Sequence, residues 1–219
     1  LGKGMVRGFI MRIYALLFVS LILTICLSLA PSAVKASNRI ALVIGNSEYQ
    51  IEPLKTPVND AQGISTALSN IGFEVTTLSS VDRRELLKAL TTFAGRLKNA
   101  ELGLFFFAGH VVQVEGDNFL LPLNATVHSA VDIEYEAVQL SRVFDKMGEA
   151  NNQHNIVILD ACRANPFPSF LANSSYGLAT VEVPPGMIIS YAASPGSLAY
   201  DGTGKNSIFT THLIKALKG

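Results

Sequence analysis

The chain is poor in cysteine and has no surplus of either charge. Among its 219 residues there are two Cys, and Lys plus Arg (17) equals Asp plus Glu (17), so the formal net charge is zero. That balance excludes the basic surplus a nucleic-acid-binding surface normally carries, and no nucleic-acid partner is expected. There is no internal repeat, no low-complexity tract and no block of like charge. His128, His154 and His212 share no ligand spacing with Cys162, so no zinc site is expected and no metal ligand is assigned. Gly45-Asn46 is not a phosphate-binding loop.

Long unbroken apolar runs are also scarce, with one exception. Ile13 to Leu29 is nearly unbroken apolar sequence behind Arg12, and Pro31 and the small residues around Val34-Lys35-Ala36 follow it. This reads as a signal peptide over residues 1–36, with Met11 as the start, and implies an exported, periplasmic or secreted protein. The alternative is an uncleaved anchor over residues 13–31, since the run is at the lower edge of a membrane span; only then would a membrane be a partner. Cys26 lies in this run, preceded by Leu23-Thr24-Ile25, a poor lipid-attachment box. Cleavage after Ala36 leaves Cys162 alone. A lone thiol in an exported protein is either reactive or intermolecular, or a buried apolar side chain.

Residues 37–219 are enough for one domain with its own core. Arg39 to Asn46, Phe73 to Leu78, Leu102 to Phe107, Asn155 to Leu159 and Met187 to Tyr191 read as strands, with a shorter apolar segment over Asn118 to Leu123. Between them lie helical patterns. Thr56-Pro57 opens one as N-cap and first residue, with Val58, Ala61, Ile64, Leu68 and Ile71 as its buried stripe. Asp82 and Glu85 form a capping-box pattern ahead of Leu86, Leu87, Leu90, Phe93, Ala94 and Leu97. Leu140, Val143, Phe144 and Met147 mark a third helix. Ser207 to Lys218 marks a fourth, with Ile208, Thr211, Leu213, Ile214 and Leu217 facing inward. Strands that are solid apolar runs, alternating with helices, predict an α/β fold with a mostly parallel sheet covered on both faces. The stretch from Ala164 to Pro185 reads as a long irregular loop.

On this reading His110 and Cys162 each sit just past the carboxyl end of a buried strand, the edge where open α/β sheets bind ligands. A His brought beside a Cys can raise the nucleophilicity of the thiol and protonate a leaving amine in acyl transfer. The pair alone is a weak signal; the flanking residues make it specific.

Phe105-Phe106-Phe107-Ala108-Gly109-His110, followed by Gln113, Gly116 and Asn118-Phe119-Leu120-Leu121-Pro122, resembles the His block of caspase-like cysteine peptidases. Val157 to Arg163, containing Asp160-Ala161-Cys162-Arg163, resembles their Cys block in the form seen in bacterial metacaspase- or orthocaspase-type members. Arg39 to Asn46, Asn59-Asp60-Ala61 and Ala192 to Thr210 are similar too, so the resemblance runs from about Arg39 to the end. It implies a caspase-like three-layer α/β/α sandwich and an endopeptidase with a His110/Cys162 dyad acting on a peptide or protein substrate. Backbone N–H groups of Cys162 and of a residue near Gly109, either Gly109 or Val111, would hold the oxyanion. Asp160 and Asp60 match acidic positions of the primary pocket in members that cut after Arg or Lys; each could instead serve a helix terminus or a turn. Ser190 to Ala193, with Ser190 and Ala192 as binding residues, matches the segment that pairs with extended substrate. No cofactor is implied. Metacaspase relatives often need calcium, and Glu115, Asp117, Asp132 and Glu134 are acidic enough to permit a site without assigning one.

Most relatives carry Gly directly after the His, where this chain has Val111, and Val would not tolerate a positive φ there. A catalytically inactive peptide- or partner-binding module of the same fold is therefore the alternative; an unrelated α/β protein with a buried Cys is the third reading. The chain stops at Gly219 directly after a helix, which leaves room for further C-terminal domains.

Between Arg163 and Lys205 there is no Lys or Arg, and no Asp precedes Asp201. An enzyme specific for basic residues cannot mature by cutting itself there. Prolonged incubation of the purified protein is expected to leave residues 164–204 intact by mass spectrometry. A new cleavage in that stretch accompanied by rising activity would overturn this.

Overall fold

The computed structural model describes residues 38–162, 166–167, 178–192 and 203–219. The expected signal peptide, Arg163 and much of the expected long loop lie outside the described residues. Seven strands and five helices follow in the order β1 (Arg39–Gly45), α1 (Pro57–Asn70), β2 (Phe73–Ser79), α2 (Arg83–Leu97), β3 (Leu102–Val114), β4 (Asp117–Leu120), α3 (Ala130–Glu136), β5 (Val138–Gln139), α4 (Leu140–Gly148), β6 (His154–Cys162), β7 (Met187–Tyr191) and α5 (Ile208–Lys218). Among the described residues no helix is long and apolar enough to cross a membrane.

Five strands are parallel, in the spatial order β2-β1-β3-β6-β7. Alternation along β3 explains why the sheet is covered twice. Phe105 and Phe107 join Leu86, Leu90, Phe93, Val143 and Met147 on one face, under α2 and α4. Leu104, Phe106 and Ala108 join Ala61, Ile64 and Leu68 on the other, under α1 and α5. This is the expected caspase-like α/β sandwich. Gly45 ends β1 where α1 presses close: a Cβ there would lie 2.9 Å from Ala61 Cβ.

Several local expectations change. Strand β3 does not end at Phe107 but continues through His110 to Val114. Gly109 interrupts the apolar pattern without ending the strand, because the β-branched Val111, Val112 and Val114 carry it on. Its last four residues pair antiparallel with β4, and β4 with β5. Glu115 and Gly116, both at positive φ (49° and 92°), form the two-residue turn between β3 and β4. Strand β4 falls on the short apolar segment over Asn118 to Leu123, whereas β5 and α3 carry too few periodic residues to be read from sequence. Thr56 makes no side-chain cap, although Pro57 opens α1 as expected; the Thr56 hydroxyl bonds the Asp60 carboxylate instead. Val58 and Ile71 of the α1 stripe are exposed, while Ala61, Ile64 and Leu68 are buried. On α5 the buried residue is Thr210, and Ile208 faces outward. The Asp82/Glu85 capping box forms as predicted, at 2.7 and 2.9 Å.

Candidate active site

The parallel register of β3 and β6 runs from Leu102↔His154 to His110↔Cys162, its last pair. Neighbouring strands lie about 4.8 Å apart, so the backbones of His110 and Cys162 are adjacent. Both belong to strands rather than lying past their ends, which corrects the expected placement.

His110 is 1% exposed, and its surroundings come from the loop after β1. Its Nε2 lies 2.8 Å from the Glu52 carbonyl oxygen. A carbonyl only accepts, so Nε2 carries the proton and Nδ1 is the basic atom of the neutral ring. Glu52 is at φ 52°, a left-handed conformation that a non-glycine residue adopts at a local cost. The Tyr49 ring is 4.5 Å from the imidazole, centroid to centroid, inclined at 56°. Its hydroxyl accepts from the His110 backbone N–H and donates to the Leu121 carbonyl, both at 3.0 Å. Gly109 makes this approach possible, since a Cβ there would lie 2.5 Å from the Tyr49 hydroxyl and 3.0 Å from the Phe107 ring. Tyr49→Phe strips a partner from two buried backbone groups. It is expected to lower unfolding stability by about 1–3 kcal/mol, read as a lower denaturant midpoint at unchanged slope.

The backbone around His110 alternates in a defined sense. The Ala108 carbonyl accepts from Asn46 N–H (2.9 Å) and the His110 carbonyl from Leu121 N–H (3.0 Å). Residues 108 and 110 therefore direct their amide groups to the β1–β4 side, and Gly109 and Val111 direct theirs to β6. Gly109 is opposite Ala161 within the paired ladder, whereas Val111 lies one residue past the last β3–β6 pair. Val111 has ordinary strand geometry without positive φ, and its 3%-exposed side chain is part of the core under α2 and α4.

Asp60 and Asp160 converge on the N-terminus of α5. Asp160 Oδ2 accepts from Ser207 Oγ (2.5 Å) and Thr210 Oγ1 (2.6 Å). Asp60 Oδ1 accepts from Asn206 Nδ2 and from Ser207 N–H, both at 2.9 Å. Ser207 also caps α5, its Oγ accepting from Thr210 N–H at 2.9 Å. Burial raises the Asp60 pKa from 3.8 to about 6; hydrogen bonds from Asn206, Ser207 and Thr56 oppose this, and the nearby Asp160 charge adds to it. The two acidic positions thus share one site, and both already serve the α5 terminus.

Ser190 is opposite Ile158, and Ala192 N–H donates to the Leu159 carbonyl at 2.9 Å. Residues 190 and 192 therefore turn their amide groups toward β6, and the outward-facing ones on β7 belong to Ile189 and Tyr191. Of the acidic residues considered for calcium, Asp132 takes part in the α3 capping box by accepting from His128 and Ser129 N–H (2.9 and 2.8 Å), and Glu115 sits in the hairpin turn.

Sequence reasoning gave no site role to Tyr49, Glu52, Asn206 or Thr210. Asn206 and Thr210 lie in the family-like stretch from Ala192 to Thr210, and Thr210 is a polar residue at a buried helix position; Tyr49 and Glu52 left no such signal.

Fold and register together define an α/β protein with a His and a Cys paired at the end of two neighbouring parallel strands. The chain belongs to the peptidase C14 caspase-domain family, whose sequence pattern matches residues 38–219. It is 26% identical over 168 residues to the human mucosa-associated lymphoid tissue lymphoma translocation protein 1, covering 76% of this chain and 20% of that protein. It is 20% identical over 196 residues to Caspase-1-A of Xenopus laevis, covering 81% of this chain and 50% of the relative. The chain thus spans half or less of these relatives. The crystal structure of the Drosophila initiator caspase Dronc superposes with a TM-score of 0.59 at 14% identity, over 86% of this chain and 70% of that one, a likeness of fold.

Proposed function

We propose that this domain is a cysteine endopeptidase that cuts peptides after Arg or Lys, with Cys162 as nucleophile and His110 as acid–base catalyst. The observation that carries the proposal is the pairing of His110 with Cys162 at the end of the β3–β6 ladder. Two buried carboxylates lie near that end, Asp160 opposite Ala108. In this reading the Cys162 thiolate attacks the peptide carbonyl carbon. N–H groups of Val111 and Cys162 hold the developing oxyanion, a role the alternation of β3 favours for Val111 over Gly109. His110 Nδ1, which took the Cys162 thiol proton, delivers it to the departing amine and leaves a thioester. It then takes a proton from the attacking water, whose oxygen displaces the thiolate and releases the acid, and returns that proton to the sulfur. A substrate Arg or Lys enters beside Asp60 and Asp160, and the substrate backbone pairs with the outer edge of β7 at Ile189 and Tyr191. The apolar run from Ile13 to Leu29 supports action outside the cytoplasm, either released or anchored by residues 13–31.

The test is hydrolysis of peptides ending in Arg, Lys or Asp by wild type and by Cys162→Ala, with and without calcium. Cys162-dependent cleavage after Arg and Lys alone is the expected result. Absence of Cys162-dependent cleavage of all three would sink it and leave a peptide-binding module.

A further inference from the structure

A cavity borders His110 between residues 49–51 after β1, residues 121–128 after β4, and Pro166 and Phe167 after β6. It encloses about 150 Å³ and is lined by His110, Ile51, Leu121, Val127 and Phe167, with the exposed His128 at its rim. None of the described residues lining it is Asp, Glu, Lys or Arg. Leu121, Val127 and Phe167 are buried, while Ile51 is 47% exposed, a large apolar side chain left in water at the mouth. Tyr49, Gln50, Thr126 and His128 add polar groups to a lining that is otherwise mostly apolar, and a cavity of this volume holds a group the size of benzene.

The order of the strands says which part of a substrate reaches it. Strand β3 lies between β6 on one side and β4 on the other. The acyl carbon is on Cys162 of β6, and the leaving nitrogen must come within about 2.6–3.2 Å of His110 on β3 to take its proton. The side chain of the leaving residue begins two covalent bonds, about 2.5 Å, beyond that nitrogen. A scissile bond laid from β6 to β3 therefore carries the following residue onward to the β4 side, where the cavity opens.

We propose that this cavity is the subsite for the residue immediately after the cleaved bond, and that it selects an aliphatic or small aromatic side chain over a charged one. The proposal rests on the peptidase reading above. The described lining offers no carboxylate, ammonium or guanidinium partner to a charged side chain, which would lose part of its hydration on entry. Filling the cavity takes apolar surface out of water, including that of Ile51. The specificity so assigned is separate from the basic-residue pocket at Asp60 and Asp160, which lies around α1, β6 and the start of α5.

The experiment uses two substrate types with the full chain. One is a peptide amide of aminomethylcoumarin with Arg before the cut and no amino acid after it. The other is a set of internally quenched peptides with the same Arg followed by Leu, Phe, Lys or Asp. The expected result is a kcat/KM about 10- to 100-fold higher for Leu and Phe than for Lys and Asp. In Ile51→Glu, an exposed position, the Leu-to-Lys ratio should fall by about tenfold, and a ratio within one enzyme cancels any general loss of activity. Coumarin hydrolysis together with equal rates for all four peptides overturns the subsite and leaves the peptidase reading standing. A preference for Leu that Ile51→Glu does not change also overturns the assignment to this cavity. No hydrolysis of the coumarin amide overturns both.

Discussion

Cys162→Ala is expected to lower kcat/KM on an Arg-ending peptide by about 10⁴- to 10⁶-fold, and His110→Ala to do nearly as much. The double variant should be no worse than either single one, because a nucleophile and its acid–base partner act as a unit and their losses do not add. A structural role for His110 would also reduce activity, so a second readout is needed. The ring is buried, with Nε2 bonded to the Glu52 carbonyl, which leaves Nδ1 to exchange protons. A protonated imidazole beside a thiol lowers the thiol's pKa below its usual value of about 8.5. Alkylation of Cys162 by iodoacetamide should therefore persist well below pH 8 in the wild type. In His110→Ala its midpoint should move up toward the ordinary thiol value. Identical alkylation profiles in a folded His110→Ala protein would remove His110 from the chemistry, whatever happened to the rate.

The parts of this architecture that were legible in the sequence are those set by local pattern. Five apolar runs became the five parallel strands, and the Asp82/Glu85 spacing became a capping box, because strand burial and helix capping depend on residues a few positions apart. His110 and Cys162 were legible as chemistry, but their position within the strands was not. Gly109 reads as a terminator when seen beside His110 alone; its reason is the Tyr49 hydroxyl, which comes from a distant loop. Glu52 was hidden for a different reason: it acts through its backbone carbonyl, and any residue type offers one. Asn206, Ser207 and Thr210 became partners of Asp60 and Asp160 only through the packing of α5 against α1 and β6, contacts that no local pattern encodes.

Asp160→Asn is expected to reduce the preference for Arg over citrulline before the cut by about 10²- to 10³-fold, since it removes one of two buried charges a guanidinium would meet. Citrulline keeps the shape of Arg without its charge, so the ratio isolates electrostatics from fit. The donors on Asp60, namely Thr56, Asn206 and Ser207, are all neutral. They satisfy lone pairs without cancelling its charge, and burial leaves Asp60 with a pKa of about 6. A carboxyl whose folded pKa lies above its unfolded value of 3.8 makes the folded state bind more protons, so stability falls as pH rises from about 4 to about 6 and levels off above. The full difference is about 3 kcal/mol at neutral pH. A bound guanidinium would relieve part of that penalty, which couples substrate charge to the proton on Asp60. The Arg-to-citrulline preference of the wild type should therefore be flat above pH 7 and decline as pH is lowered through about 6. In Asp60→Asn the preference should be weaker and lose this step, while its melting temperature at pH 7 should equal or exceed that of the wild type. A preference that survives Asp160→Asn and does not change between pH 5 and 8 would place the two carboxylates in the service of the α5 terminus alone.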